Sequence, residues 1–148
     1  MSVAAQIAII LSALRGLYGL RSVLAGLLDR FGFEGQLGYS PVVTRELAAT
    51  GWELASASAI IQLGYFVIAW AIWRRAPWLI WLGAAVYLAD QAVWIGFSLR
   101  PEDFALHQQS RLSGGFDPDV IDWIMFTAET LIVAAVIALG LRYRPRRT

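Results

Sequence analysis

The stretch that decides the fold is residues 3–28, VAAQIAIILSALRGLYGLRSVLAGLL, an apolar run that two arginines interrupt. A helix needs about 20 predominantly apolar residues to cross the roughly 30 Å hydrocarbon core of a bilayer. Three further apolar stretches of that length follow, at residues 54–73, 78–99 and 120–141. We therefore predict an all-α polytopic membrane protein, in which one domain, residues 1–148, forms a bundle of four transmembrane helices.

Composition supports a lipid environment for these helices. Of the 148 residues, 58% are hydrophobic and 16% are charged. Four helices that are apolar on nearly every face are too many for a soluble domain of this size to bury. The first stretch could instead be a secretory signal, but no basic residue precedes Arg15, and the run exceeds the usual apolar core of about 7–15 residues. We expect a retained first span.

Basic residues beside the spans predict the orientation. Arg74 and Arg75 lie in the short turn between the second and third stretches, and Arg142 and Arg144 follow the fourth. Arginines close to span ends mark the cytoplasmic side, so an even number of spans places both termini in the cytoplasm. We expect a bacterial cytoplasmic membrane, with these four arginines contacting lipid headgroups or partner subunits.

Two longer connections, residues 29–53 and 100–119, mix acidic and basic side chains and become the outer loops in this layout. Tryptophans cluster near the span ends, where an indole keeps an apolar body in lipid and its N–H in water. We expect the following tryptophans to anchor the helices at the two interfaces: Trp73, Trp78, Trp94 and Trp123.

Charged side chains inside the spans are the least expected feature of the sequence. An ionisable group at the centre of a bilayer costs about 2.5–3.5 kcal/mol on insertion scales. From the rise of about 1.5 Å per residue, Arg15 and Asp90 lie at matching depths, and so do Arg21 and Glu129. We therefore predict two ion pairs, Arg15 with Asp90 and Arg21 with Glu129, with Gln62 in the same layer. The first span would then be the central helix, facing the third and fourth.

Three roles for this polar layer stay open. Paired charges can fix the register of a bundle while adding little net stability. In a second role, one or more of these charges stay unpaired until a partner protein binds. In the third role, Asp90 or Glu129 carries a proton or an ion across the membrane. A lone carboxylate would favour transport, whereas a carboxylate beside an arginine favours structure.

Several kinds of chemistry lack the residues they need. The chain has no cysteine, so thiolate metal sites, disulfides and cysteine nucleophiles are excluded, and its single histidine, His107, falls in an outer loop. We predict no metal site, no catalytic constellation and no resident cofactor, while a lipid, quinone or pigment at the helix faces stays open. Basic residues are few and sit at span boundaries, so we expect no nucleic-acid partner.

The first span also carries a short pattern of small and basic residues. Arg15 is followed four residues later by Gly19, and then by Ala25 and Gly26. In this pattern the span resembles the first helix of the DoxX-like membrane family. A basic residue usually follows there, whereas Asp29 stands near that place in this chain.

The resemblance extends to the second span, which opens with Glu53 and contains Gly64. It covers about 30 residues in all. Members of that family look like four-helix membrane proteins, and some act as small subunits beside quinone-linked oxidoreductases. The resemblance thus implies an accessory role and transfers no catalytic residue.

Our first functional hypothesis is a small, non-catalytic accessory subunit that docks to other membrane proteins and lipids through its helix faces and outer loops. The alternative is a small oligomeric transporter or channel, coupled to protons or ions through Asp90 or Glu129. A third hypothesis, a membrane enzyme acting on lipid or quinone, would have to recruit Tyr65, Tyr87, Asp90 and His107.

Overall fold

The computed structural model describes residues 1–33, Leu37, Ala48, 51–98 and 120–143. Within these ranges the chain is all-helical, with four helices: α1 (Val3–Arg30), α2 (Trp52–Trp73), α3 (Leu79–Ser98) and α4 (Val120–Tyr143). Each helix begins and ends within two residues of a predicted apolar stretch. The predicted outer loops and Arg144 lie mostly or wholly outside the described residues.

The ends of α1 and α2 have local causes. Ser2 caps α1, because its side-chain oxygen accepts a hydrogen bond from the Ala5 amide at 3.3 Å. After α2, Arg75 adopts a left-handed backbone conformation with φ of 52°. The Ala76 amide then donates to the Ala71 carbonyl at 2.9 Å, which closes the end of the helix before α3 begins. The turn is therefore short, so α2 and α3 are antiparallel neighbours.

The four helices pack in a ring. α1 packs most extensively against α2 and also packs against α4, while α3 completes the ring between α2 and α4. The expectation that α1 is the central helix is therefore wrong, because α2 is its main neighbour and α3 lies diagonally across the bundle. The long side chain of Arg15 on α1 nevertheless reaches Asp90 on α3 through the middle.

Small residues let α1 approach α2 closely. Ser12, Gly16 and Gly19 are buried along one face of α1, following its helical repeat. A Cβ atom on Gly16 would lie 2.7 Å from the Phe66 ring and 2.9 Å from the Gln62 carbonyl oxygen. A Cβ atom on Gly19 would overlap the Gln62 side chain itself. This seam therefore sets the position of Gln62 at the centre of the bundle.

Two of the helices are long and apolar enough to cross a membrane: all of α1, and residues Ala55–Trp73 of α2. The segment Leu79–Val93 of α3 is apolar but shorter. Large apolar side chains lie on the outside of all four helices, with Leu14, Leu63, Leu88 and Leu131 each more than half exposed. The buried residues, by contrast, include Gln62 and Asp90.

Candidate functional site

One arginine reaches the side chains of three other helices. From α1, Arg15 donates through Nη1 to Gln62 Oε1 on α2 at 2.8 Å and through Nη2 to Asp90 Oδ2 on α3 at 2.8 Å. Its Nε donates to Glu129 Oε1 on α4 at 2.7 Å. The planar guanidinium presents its donors in fixed directions, so one side chain can serve three acceptors at once. Arg15 therefore joins all four helices.

Asp90 is the most fully bonded acid of this cluster. Besides Arg15, the Tyr65 hydroxyl donates to Asp90 Oδ2 at 2.7 Å, and Gln62 Nε2 donates to Oδ1 at 3.3 Å. The Arg15 guanidinium carbon also lies 5.1 Å from the centre of the Tyr65 ring, within range of a cation–π contact. Both Asp90 oxygens thus have donors from α2. We call Arg15, Gln62, Tyr65, Asp90 and Glu129 the polar cluster.

The polar cluster carries more negative than positive side chains. In the described part of the chain it contains two carboxylates and one guanidinium, with 12% of the Arg15 side chain, 11% of Asp90 and 18% of Glu129 exposed. Among the described residues, Glu129 Oε1 accepts only from Arg15, and no donor contacts Oε2. Of the two acids, Glu129 is therefore the one with capacity left to bind something else.

Arg21 does not belong to this cluster, so its predicted pairing with Glu129 is wrong. Its side chain is exposed, and Nε donates to the Leu37 carbonyl oxygen at 2.8 Å, with Nη2 directed at the same atom. Arg21 lies six residues after Arg15, which turns it about 120° around the helix. Arg15 points into the bundle, so Arg21 points away from it and binds the chain that follows α1.

An apolar cavity of about 300 Å³ begins at the polar cluster and lies between α3 and α4. Tyr65 and Glu129 line one end, and the walls are mostly aliphatic side chains and glycine. Leu88 and Ile137, which are 66% and 49% exposed, also line it, so it communicates with the outside of the bundle. Sequence reasoning missed this cavity, because it depends on how α3 and α4 pack.

Those predicted boundary residues whose side chains the structure describes lie on the outside of the protein. Trp73 and Trp78 are exposed on either side of the turn that contains Arg74 and Arg75, and both arginines are exposed. Arg142 is exposed near the end of α4. The side chains of two further predicted anchors lie outside the description: Trp94 and Trp123. The same holds for His107.

The described residues also bear on metal binding and on the enzyme hypothesis. That part of the chain contains no group of three or more histidine, cysteine or acidic side chains placed to hold a metal ion. Tyr65 and Tyr87 line the same cavity, and Tyr65 donates to Asp90, so three of the residues considered for an enzyme lie near one another. No family model, curated protein or solved structure matches this chain.

Proposed function

We propose that this chain is an integral membrane protein whose four helices all cross the bilayer. The observation that carries the proposal is the distribution of polarity, with charged side chains in the middle of the bundle and large apolar side chains outside. Large apolar side chains exposed along every helix form a more extensive apolar surface than a monomeric soluble protein usually presents to water. In hydrocarbon, intramembrane charges face the bundle interior and pair with one another, as Arg15, Asp90 and Glu129 do.

Within that membrane setting we propose an accessory, non-catalytic subunit of a larger complex. The polar cluster supports this role, because a guanidinium bound to three helices fixes their rotation and leaves a rigid unit with an apolar exterior. An exposed row along α1 offers one such surface to another helix or to lipid: Ile7, Ile10, Leu14 and Leu17. Such a unit would act by occupying a defined place beside its partners.

Co-purification tests this role. The tagged chain is extracted from its native membrane in a mild detergent, and the masses of the intact particles are measured by native mass spectrometry. We expect a stoichiometric membrane partner that survives extraction. An unrelated four-span protein with the same tag controls for non-specific capture. A stable, monodisperse particle that contains only this chain would contradict the accessory role.

A second candidate, a small proton- or ion-coupled transporter, is favoured by one specific observation: two carboxylates share one guanidinium. An excess negative charge in a medium of low dielectric attracts a proton or a cation. The bonding pattern favours Glu129 over Asp90 as the acid that exchanges it, since Asp90 already accepts from three side chains. Four short spans would need to oligomerise to enclose a pathway.

Flux through liposomes tests the second candidate. Purified protein is reconstituted with an interior pH dye, and proton uptake is followed after a pH jump. We expect Glu129→Gln to abolish uptake, while Arg21→Gln, which alters an exposed arginine outside the polar cluster, leaves it unchanged. Equal uptake by wild type, Glu129→Gln and protein-free liposomes would rule out a carrier role for this acid.

A further inference from the structure

The cavity between α3 and α4 is mostly apolar, and an acid, Glu129, is among the residues that line it. Glu129, Tyr65 and Tyr87 are among its lining residues, and aliphatic side chains such as Ile132, Val136 and Ile80 form most of the walls. Its volume of about 300 Å³ lies at the lower end of the range of about 300–1,000 Å³ for small-molecule sites. An apolar cavity of about 150 Å³ already admits benzene, so there is room for a larger apolar group.

The shape of the cavity favours an elongated occupant. Its lining runs along α4 from Glu129 to Ile137, eight residues, or about 12 Å at the rise of an α-helix. Leu88 and Ile137 are exposed at its rim, so a molecule dissolved in the membrane could enter from the side. This shape would suit an apolar chain whose polar end lies at Glu129.

The charges of the polar cluster indicate which polar group the occupant would carry. The polar cluster has two carboxylates for one guanidinium, and Glu129 Oε2 has no donor among the described residues. Glu129 shares its cation, Arg15, with Asp90, so a group that supplies both a positive charge and an N–H donor would be stabilised beside it. A neutral or anionic head would leave the imbalance in place or increase it.

We propose that this cavity binds a lipophilic amine in its ammonium form, with the ammonium on Glu129 and the alkyl chain between α3 and α4. The ligand completes the charge balance of the polar cluster: two carboxylates face one guanidinium and one ammonium. The inference goes beyond the subunit role and does not depend on any partner protein.

Photoaffinity labelling tests the site. The full chain is placed in nanodiscs of zwitterionic phosphatidylcholine and irradiated with octylamine that carries a diazirine at its terminal carbon. The labelled residues are then mapped by mass spectrometry. We expect labels near Val136 and Ile137, competed by octylammonium and about tenfold less effectively by 1-octanol, which has the same chain without the charge.

Two variants separate the head-group contact from the cavity. Glu129→Gln removes the charge and should reduce labelling by about tenfold. Ala84→Phe fills the cavity that Ala84 lines and should also reduce it, whereas Ala85→Phe, at the neighbouring exposed position outside the lining, should not. Melting temperatures in the nanodiscs verify that each variant is folded. If Glu129→Gln does not fold, Ala84→Phe still tests the site.

Two outcomes would overturn the proposal. If 1-octanol competes as well as octylammonium, the site recognises only an apolar chain and the ammonium plays no part. If labels spread over the exposed helix faces to the same extent in wild type, Glu129→Gln and Ala84→Phe, the amine merely partitions into lipid. Loss of partner subunits in co-purification would leave this result unaffected, so the two proposals fail separately.

Discussion

At the scale of single residues, the identity of Arg15 matters more than its charge. Its Nε, Nη1 and Nη2 each bind an acceptor on a different helix. A lysine ammonium is a single point on a flexible stem and cannot hold three acceptors in those directions. Arg15 thus combines the roles of counter-ion and spacer between helices.

We therefore expect Arg15→Lys to destabilise the bundle although the charge is kept. Losing one charge-assisted hydrogen bond costs about 1.5–3 kcal/mol, and the lysine would forfeit at least one. The free energy of unfolding in detergent, followed by circular dichroism, measures this loss. Arg21→Lys is the matched control, and its exposed site should change stability by no more than about 0.5 kcal/mol. Equal effects of the two substitutions would contradict the distinction between the arginines.

The two acids of the polar cluster should also differ. Asp90→Asn replaces one oxygen with an amide that cannot accept, where Arg15, Tyr65 and Gln62 all donate, so we expect a loss of about 2–3 kcal/mol. Glu129→Gln keeps an acceptor for Arg15 and removes the excess charge, so it should cost less than about 1 kcal/mol or stabilise the protein. Thermal melting at neutral pH ranks the two variants. The reverse ranking would show that Glu129 is the principal counter-ion.

Sequence could identify the buried charges but could not assign all of their partners. Depth along the helix axis follows from residue number, and it brings Arg15 and Asp90 to one level, where they meet at 2.8 Å. Rotation about the axis depends on which face of α1 packs against α2. The sequence does not show that face, so depth alone predicts for Arg21 a partner, Glu129, that Arg15 binds in the structure.

At the scale of helices, the seam between α1 and α2 connects packing with the polar cluster. Gly19 lies directly against the Gln62 side chain, whose oxygen accepts from Arg15. An added methyl group at Gly19 must therefore push Gln62 away from its partners. The close packing of two backbones thus positions a hydrogen bond at the bundle centre.

We expect Gly19→Ala to destabilise the bundle by about 1–3 kcal/mol, the usual range for overpacking a filled interior. The measurement is again the free energy of unfolding in detergent. Ala4→Val, which enlarges an exposed site on the same helix, is the control and should have little effect. A Gly19→Ala variant as stable as wild type would mean that Gln62 can move without loss.

Helix extents were readable from sequence because they depend on the length of an apolar run. The described helices differ from the predicted stretches by at most two residues at either end. Neighbour relations were not readable, since helices that are apolar on nearly every face give no sign of which face is buried. The cavity between α3 and α4 was missed for the same reason.

At the scale of the whole molecule, the described helices combine a mostly apolar interior, which contains the polar cluster, with large apolar side chains on the outside. Helices α1 and α2 are long and apolar enough to cross a bilayer. A total of four spans requires that α3 and α4 cross it as well. Because the chain has no cysteine, the number of spans can be tested by labelling single introduced cysteines.

We expect single-cysteine variants to report both termini and the turn after α2 on the cytoplasmic side. In intact cells, a membrane-impermeant maleimide should label His107→Cys and should label Arg75→Cys only after the membrane is opened. Ser2→Cys should behave like Arg75→Cys. Labelling of Arg75→Cys in intact cells would contradict the predicted orientation. Equal labelling of Arg75→Cys and His107→Cys would place both ends of α3 on one side of the membrane and contradict four spans.

The most direct test of the shared guanidinium is a rescue experiment on Arg15 in lipid nanodiscs. Arg15→Met leaves two buried carboxylates without their cation, so we expect a loss of about 3–5 kcal/mol in the free energy of unfolding. Combining it with Asp90→Asn and Glu129→Gln removes those charges, and the triple variant should recover most of that loss. A triple variant no more stable than Arg15→Met alone would show that Arg15 does not hold the four helices together through these two acids.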